Sequence, residues 1–164
     1  MGVSHLLVVV RHAKSDWSVA ASDRERPLAP RGRRQAPAMG DWLAAAGILP
    51  SLAVVSPAAR ARQTWELVAP ALVDAGGQTR VEVTEAAYTF SGSDLLALVR
   101  GLPDAEPVVA LVSHNPAVEE LVEELTERWV ALPTSALAVV ELPSWSAAGR
   151  EPGRIRYAGR PFDA

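Results

Sequence analysis

Six short runs rich in apolar and β-branched residues are separated mostly by stretches with a helical pattern, and this alternation restricts the chain to few architectures. The runs are His5–Val10, Leu52–Val55, Val81–Thr84, Val108–Val112, Leu137–Leu142 and Ile155–Ala158. Each of the first four is followed by helix-like sequence. Arg33–Ala46 places Met39, Leu43 and Ala46 on one face and ends at Gly47, a residue suited to closing a helix. Ala59–Leu72 follows Ser56-Pro57, which reads as an N-cap serine with proline at the first helical position. Asp94–Arg100 lies behind Ser93, and Pro116–Arg128, after "HNP", turns Val118, Leu121, Val122 and Leu125 inward. Strand and helix in alternation imply a parallel sheet, because parallel neighbours need a crossover between them. The expected fold is α/β: three layers, α/β/α, around a mainly parallel mixed sheet. The last two runs have no helix between them and add an antiparallel edge strand around the Gly149–Gly153 turn region. No repeat and no linker divides the 164 residues, so one domain over 1–164 is expected.

In sheets of this kind, ligands bind beyond the carboxyl ends of the strands. The stretch "LLVVVRHAKSDW", Leu6–Trp17, sets Arg11, His12 and Lys14 directly after the first run. Crowding cations in this way gains nothing for folding and points to an anion. The second run ends in Ser56-Pro57 with Arg60 one turn into the next helix, and the fourth ends in Ser113-His114-Asn115. Two of the three histidines therefore follow strand ends on one edge of the sheet, while His5 lies on the far side of its run and is read as structural. Taken singly, each residue has an ordinary reading: a loop histidine, a strand terminator, a surface arginine. Their joint placement selects an anion site. A metal fits poorly, because zinc takes three or four neutral or anionic ligands and flanking arginines repel a cation. Arginine grips phosphate through two N–H groups at once. Neither a metal nor a cofactor is expected.

Bulk properties narrow the partners. A net charge of −3 gives no basic field for nucleic acid or an anionic membrane. The absence of cysteine excludes disulfides, thiolate zinc sites and a cysteine nucleophile. The N-terminus lacks a basic leader pattern and its first apolar run is too short to span a bilayer, so a cytoplasmic location is the default expectation. Lys14 is the one lysine among sixteen basic residues, a bias read as base composition.

The strand-end residues sit in motifs that resemble those of the histidine phosphatase superfamily. "VVVRHAKSDWS" is similar to its RHG signature, often RHGxSxWN, and "SPAARARQT" to its S-P-x-x-R-A-x-Q-T motif. "LVSHNP" resembles its distal histidine motif and "RPLAPRGRRQA" its RPLTxxGxxQA loop, while "PTSALAVVEL" resembles the closing segment of the short SixA-type phosphohistidine phosphatases. The resemblance covers about Leu6–Leu142 and implies a phosphoglycerate mutase-like fold. It also implies roles. His12 would be the phosphorylated nucleophile, Arg11, Arg60 and Ser18 would bind the phosphoryl oxygens, and His114 would donate to the phosphoryl group. Three residues depart from the pattern: Ala13 stands for glycine, Lys14 for a frequent acid and Ser18 for asparagine.

Phosphomonoesterases of the superfamily draw a general acid from the segment after the third strand. Glu85 in "VTEAAY" is the matching position, with Asp16 and Asp94 as alternatives. The leaving group decides how much such an acid matters. An alkoxide must be protonated, whereas imidazole, with a conjugate-acid pKa of ~6.5, leaves readily. Only a short helix fits between Glu85 and Pro107, so no lid domain covers the site. The expected partner is a phosphorylated protein, which favours a metal-independent phosphohistidine phosphatase. Two alternatives stay open: a broad phosphomonoesterase for small phosphorylated metabolites, and a non-catalytic phosphoprotein-binding module. The oligomeric state is left unassigned. The basic stretch Arg24–Arg34 reads as a solvated loop and helix start.

Overall fold

The computed structural model describes residues 4–163. Its strands are β1 (His5–Arg11), β2 (Leu52–Val55), β3 (Arg80–Val83), β4 (Val108–Ser113), β5 (Leu137–Leu142) and β6 (Arg154–Gly159). The helices are α1 (Pro30–Ala45), α2 (Ala59–Asp74), α3 (Gly92–Arg100) and α4 (Ala117–Thr126). One sheet runs in the order β3-β2-β4-β1-β5-β6. The pairs β2–β3, β2–β4 and β1–β4 are parallel, whereas β5 pairs antiparallel with both β1 and β6. The sheet is mixed, mainly parallel and covered by helices on both faces, the three-layer α/β/α architecture expected from the alternation and in keeping with the phosphoglycerate mutase-like fold that the resemblance implies.

Alternating side chains of the central strands feed two cores. Val8, Val10, Ala53, Val55, Ala110 and Val112 face α1 and α2. Leu7, Val9, Leu52, Val54, Val109 and Leu111 face α3 and α4. Burial on both faces explains why β1, β2 and β4 read as unbroken apolar runs. β3, an edge strand only four residues long, is exposed throughout. No helix among the described residues is long and apolar enough to cross a membrane.

Helix ends differ in detail from expectation. α1 starts three residues early because Pro30 begins it, and it closes as expected at Gly47, whose φ is +71°. Gly47 N–H donates to Ala44 O and Ile48 N–H to Leu43 O, the paired bonds of a Schellman turn. Ser56 does not cap α2, whose N-cap is Ala58 without a side-chain bond. The Ser56 hydroxyl is engaged elsewhere, as described below. Two glycines set helix placement. A Cβ at Gly40 would lie 2.2 Å from Val68 O, so the close approach of α1 and α2 there requires glycine. A Cβ at Gly32 would lie 2.4 Å from Lys14 O, so α1 packs directly on the chain that follows His12.

Candidate active site

Adjacent parallel strands deliver the expected residues together. Arg11 of β1 pairs in register with Ser113 of β4, so His12 and His114 leave the sheet side by side. Their ring centroids are 5.2 Å apart. β2, on the other flank of β4, leads into Arg60 in the first turn of α2. Arg11, His12 and Arg60 line one cavity of about 200 Å³. His114 is buried at its side, against Arg60.

His12 is fixed in one tautomer. Its Nδ1 lies 2.7 Å from Ala13 O. A carbonyl only accepts, so Nδ1 carries the proton and Nε2 keeps its lone pair. Arg60 Nε–H points at that lone pair from 3.3 Å. Burial pushes the His12 pKa down to about 3, helped by His114, Arg60 and Arg11 and opposed by the Ala13 carbonyl. At neutral pH the imidazole is an uncharged base surrounded by cations.

Arg60 is only 4% exposed, and all three of its guanidinium nitrogens are engaged within the site. Nη1 donates to Asp23 O at 2.6 Å, and Nη2 donates to Asp23 Oδ2 at 3.1 Å and faces His114 Nδ1 at 3.2 Å. An arginine only donates, so His114 Nδ1 accepts and its Nε2–H donates to Ser56 Oγ at 2.7 Å. Ser56 Oγ also accepts the Ala58 N–H at 3.3 Å. Burial lowers the His114 pKa to about 4, with Arg60 and Arg11 adding to the shift and Asp23 opposing it. Arg11 donates from Nη1 to Leu132 O at 3.1 Å, while its buried Nε has no hydrogen-bond partner among the described residues.

Several residues of this site carried no assignment in the sequence reading. Asp23 is the only carboxylate lining the cavity among the described residues. It accepts from Arg60, from Arg26 at 3.1 Å and from the Tyr88 hydroxyl. Desolvation acts to raise its pKa, but donation from Tyr88, Arg60 and Arg26 outweighs it and holds the carboxyl at about 2. Thr64, fully buried, accepts the Ala13 N–H at 2.9 Å and donates to Arg60 O at 2.7 Å, tying the turn after His12 to α2. Ser135, at φ +63°, donates its backbone N–H to His12 O at 3.2 Å. Thr64 lay inside a quoted motif. Ser135 likewise lay inside the closing motif, whereas Asp23 gave only the signal of a polar residue in a loop.

Other expected residues stand apart from the cavity. Glu85 begins a short 3-10 turn, and both its oxygens accept from Arg24 Nη2 at 2.6 and 2.7 Å in an exposed ion pair. It lines a separate groove with Asp94, whose carboxylate accepts from Thr89. Ser18 is exposed and donates to Asp16 Oδ1 at 2.5 Å, and neither residue lines the His12 cavity. The stretch after Arg24 is less solvated than expected: Arg26 is buried, between Asp23 and the face of Trp17.

Comparison with known proteins agrees with this geometry. The chain is 31% identical to an uncharacterized protein of Mycobacterium tuberculosis over 92% of its own length and 97% of the relative. It is 27% identical to an uncharacterized chloroplastic protein of Arabidopsis thaliana over 89% of its length and 71% of that protein. The solved structure of the protein histidine phosphatase SixA complexed with tungstate superposes with a TM-score of 0.82 at 28% identity, covering 96% of this chain and 98% of the other. The profile of the histidine phosphatase superfamily (branch 1) matches residues 7–88, from the first core strand to the turn after β3. Motifs, fold and likeness converge: the chain belongs to the histidine phosphatase superfamily and is a phosphatase.

Proposed function

We propose that the substrate is phosphohistidine on a protein and that the phosphoryl group passes through His12. The observation that carries this reading is a neutral, oriented imidazole in a cavity without a proton-donating carboxyl. His12 Nε2 holds a lone pair, and Asp23, the carboxylate lining the cavity, is ionised at neutral pH. Glu85 is occupied by Arg24 outside that cavity. A leaving group that needs strong acid assistance is poorly served there, whereas imidazole is a good leaving group without it.

In the first step His12 Nε2 attacks phosphorus in line, and the P–N bond of the substrate, whose ring carries a proton on its other nitrogen, breaks with its electron pair returning to that ring, which departs as neutral imidazole. Arg11 and Arg60 neutralise the phosphoryl oxygens, the main contribution a protein makes to phosphoryl transfer. A bound dianion reverses the electrostatics around His114. The imidazolium form is then favoured, with Nε2–H on Ser56 and Nδ1–H on the phosphoryl group. In the second step water attacks phosphorus, and the P–Nε2 bond breaks to give inorganic phosphate and the starting imidazole.

The test is phosphate release from a phosphohistidine-bearing carrier protein, set against alkyl phosphates such as sugar phosphates. The reading requires faster turnover of the phosphohistidine protein. A preference for sugar phosphates would make the chain a small-molecule phosphomonoesterase instead.

A further inference from the structure

Two aromatic rings that take no part in the phosphoryl chemistry line the same cavity as Arg11, His12 and Arg60. Trp17 is 70% exposed and Phe90 50% exposed. Each is braced by a group of the site. The Arg26 guanidinium stacks on Trp17, 3.5 Å from the ring centroid, and Arg26 is itself held by Asp23 Oδ1 at 3.1 Å. Phe90 meets Tyr88 edge-on, with centroids 6.2 Å apart at 83°, and its centroid lies 5.6 Å from that of His114. Large apolar rings held in water beside a phosphate site gain nothing from folding, and their fixed setting favours recognition of something flat.

The direction of the reaction identifies what meets them. An in-line displacement puts the leaving group opposite the attacking nitrogen. His12 is only 7% exposed, whereas Trp17 and Phe90 on the same cavity are open to solvent. The leaving group therefore departs toward the open end, where the exposed rings lie. We propose that Trp17 and Phe90 bracket a planar, aromatic leaving group, so that the site selects imidazole or aryl groups over alkyl chains. This deepens the phosphohistidine reading and rests on His12 being the nucleophile. It would give selectivity through contact with the leaving ring, in addition to the ease with which that ring departs.

Two substrate pairs test the proposal. N-phosphoimidazole and phosphoramidate both carry a P–N bond, with and without a ring. Phenyl phosphate and glycerol phosphate form the corresponding P–O pair. Intrinsic reactivity cancels when the kcat/KM ratio within a pair is compared between the parent and a variant. Phe90→Leu and Trp17→Leu keep apolar bulk and remove the ring, and each is expected to lower both ratios by about two- to tenfold, the range of aromatic contact energies. Phe90→Tyr, which keeps a ring, is expected to hold the parent ratios. Ratios that stay within twofold in both leucine variants would overturn the bracket, as would a parallel fall of both members of each pair. If the parent protein cleaves the P–O pair and neither P–N compound, the phosphohistidine reading fails, and the ratio within the P–O pair still decides the bracket.

Discussion

Replacing Thr64 by valine tests whether the turn after His12 is held by a single buried hydroxyl. The change is nearly isosteric, so it opens no cavity of consequence. It removes the acceptor of the Ala13 N–H, 2.9 Å away, and the donor to Arg60 O, 2.7 Å away, at a site with no solvent access. An orphaned buried N–H costs about 1–3 kcal/mol, and the lost neutral contact to Arg60 O adds about 0.5–1.5 kcal/mol. Thr64→Val should therefore destabilise the protein by roughly 2–4 kcal/mol, read as a lower urea midpoint with an unchanged slope. Activity should fall as well, because Ala13 also carries the carbonyl that orients His12. A small misplacement of a reacting group costs up to about a hundredfold in rate. Thr64→Ser keeps the hydroxyl and loses a methyl, so it should cost about 1 kcal/mol and keep most of the activity. The reasoning is refuted if the valine variant unfolds within about 0.5 kcal/mol of the parent, or if the serine variant is as inactive as the valine.

Acid should destabilise the fold over a defined window. His12 and His114 titrate at about 3 and about 4 in the folded chain, below the 6.5 of an unperturbed histidine, so between these values the unfolded state binds more protons. Stability is then full above about pH 6.5 and falls as pH drops toward 4, by up to about 4 kcal/mol for the coupled pair between pH 7 and 5. Urea unfolding at several pH values checks this, and His12→Ala should flatten the slope. Glu85→Gln should leave phosphohistidine turnover within about twofold, because Arg24 holds this carboxylate outside the cavity. A loss of ~10²-fold or more would instead make it the acid. Vanadate or tungstate should inhibit competitively, and Arg60→Ala should weaken that inhibition by at least about tenfold, since a charge-assisted contact is worth about 1.5–3 kcal/mol. Equal inhibition of parent and variant would place the anion elsewhere.

The layered fold was legible because β1, β2 and β4 are buried on both faces and therefore appear as uninterrupted apolar runs. Arg11, His12, Arg60 and His114 could be grouped because each ends or follows a strand on the same sheet edge, a placement that topology makes collinear with sequence. Helix starts were less legible. Ser56 looks like a cap, but its hydroxyl is drawn to His114, a partner 58 residues away that no local pattern reveals. Asp23 was missed for a similar reason: its partners Arg60 and Tyr88 come from α2 and the turn after β3, and the loop that carries it has no periodicity. Glu85 was identified by its place after the third strand, but a position in sequence does not set where a carboxylate points. Arg24, across the surface, holds it beside a different groove.

The central claim is that His12 Nε2 takes the phosphoryl group, and rapid quench with a radiolabelled phosphohistidine protein tests it most directly. The account predicts a transient label on the enzyme that is stable in base and lost in acid, as a phosphoramidate is, and that maps to His12. His12→Ala should show neither label nor turnover. A parent enzyme that turns over without any such adduct, or a His12→Ala variant that keeps near-normal turnover, would contradict it.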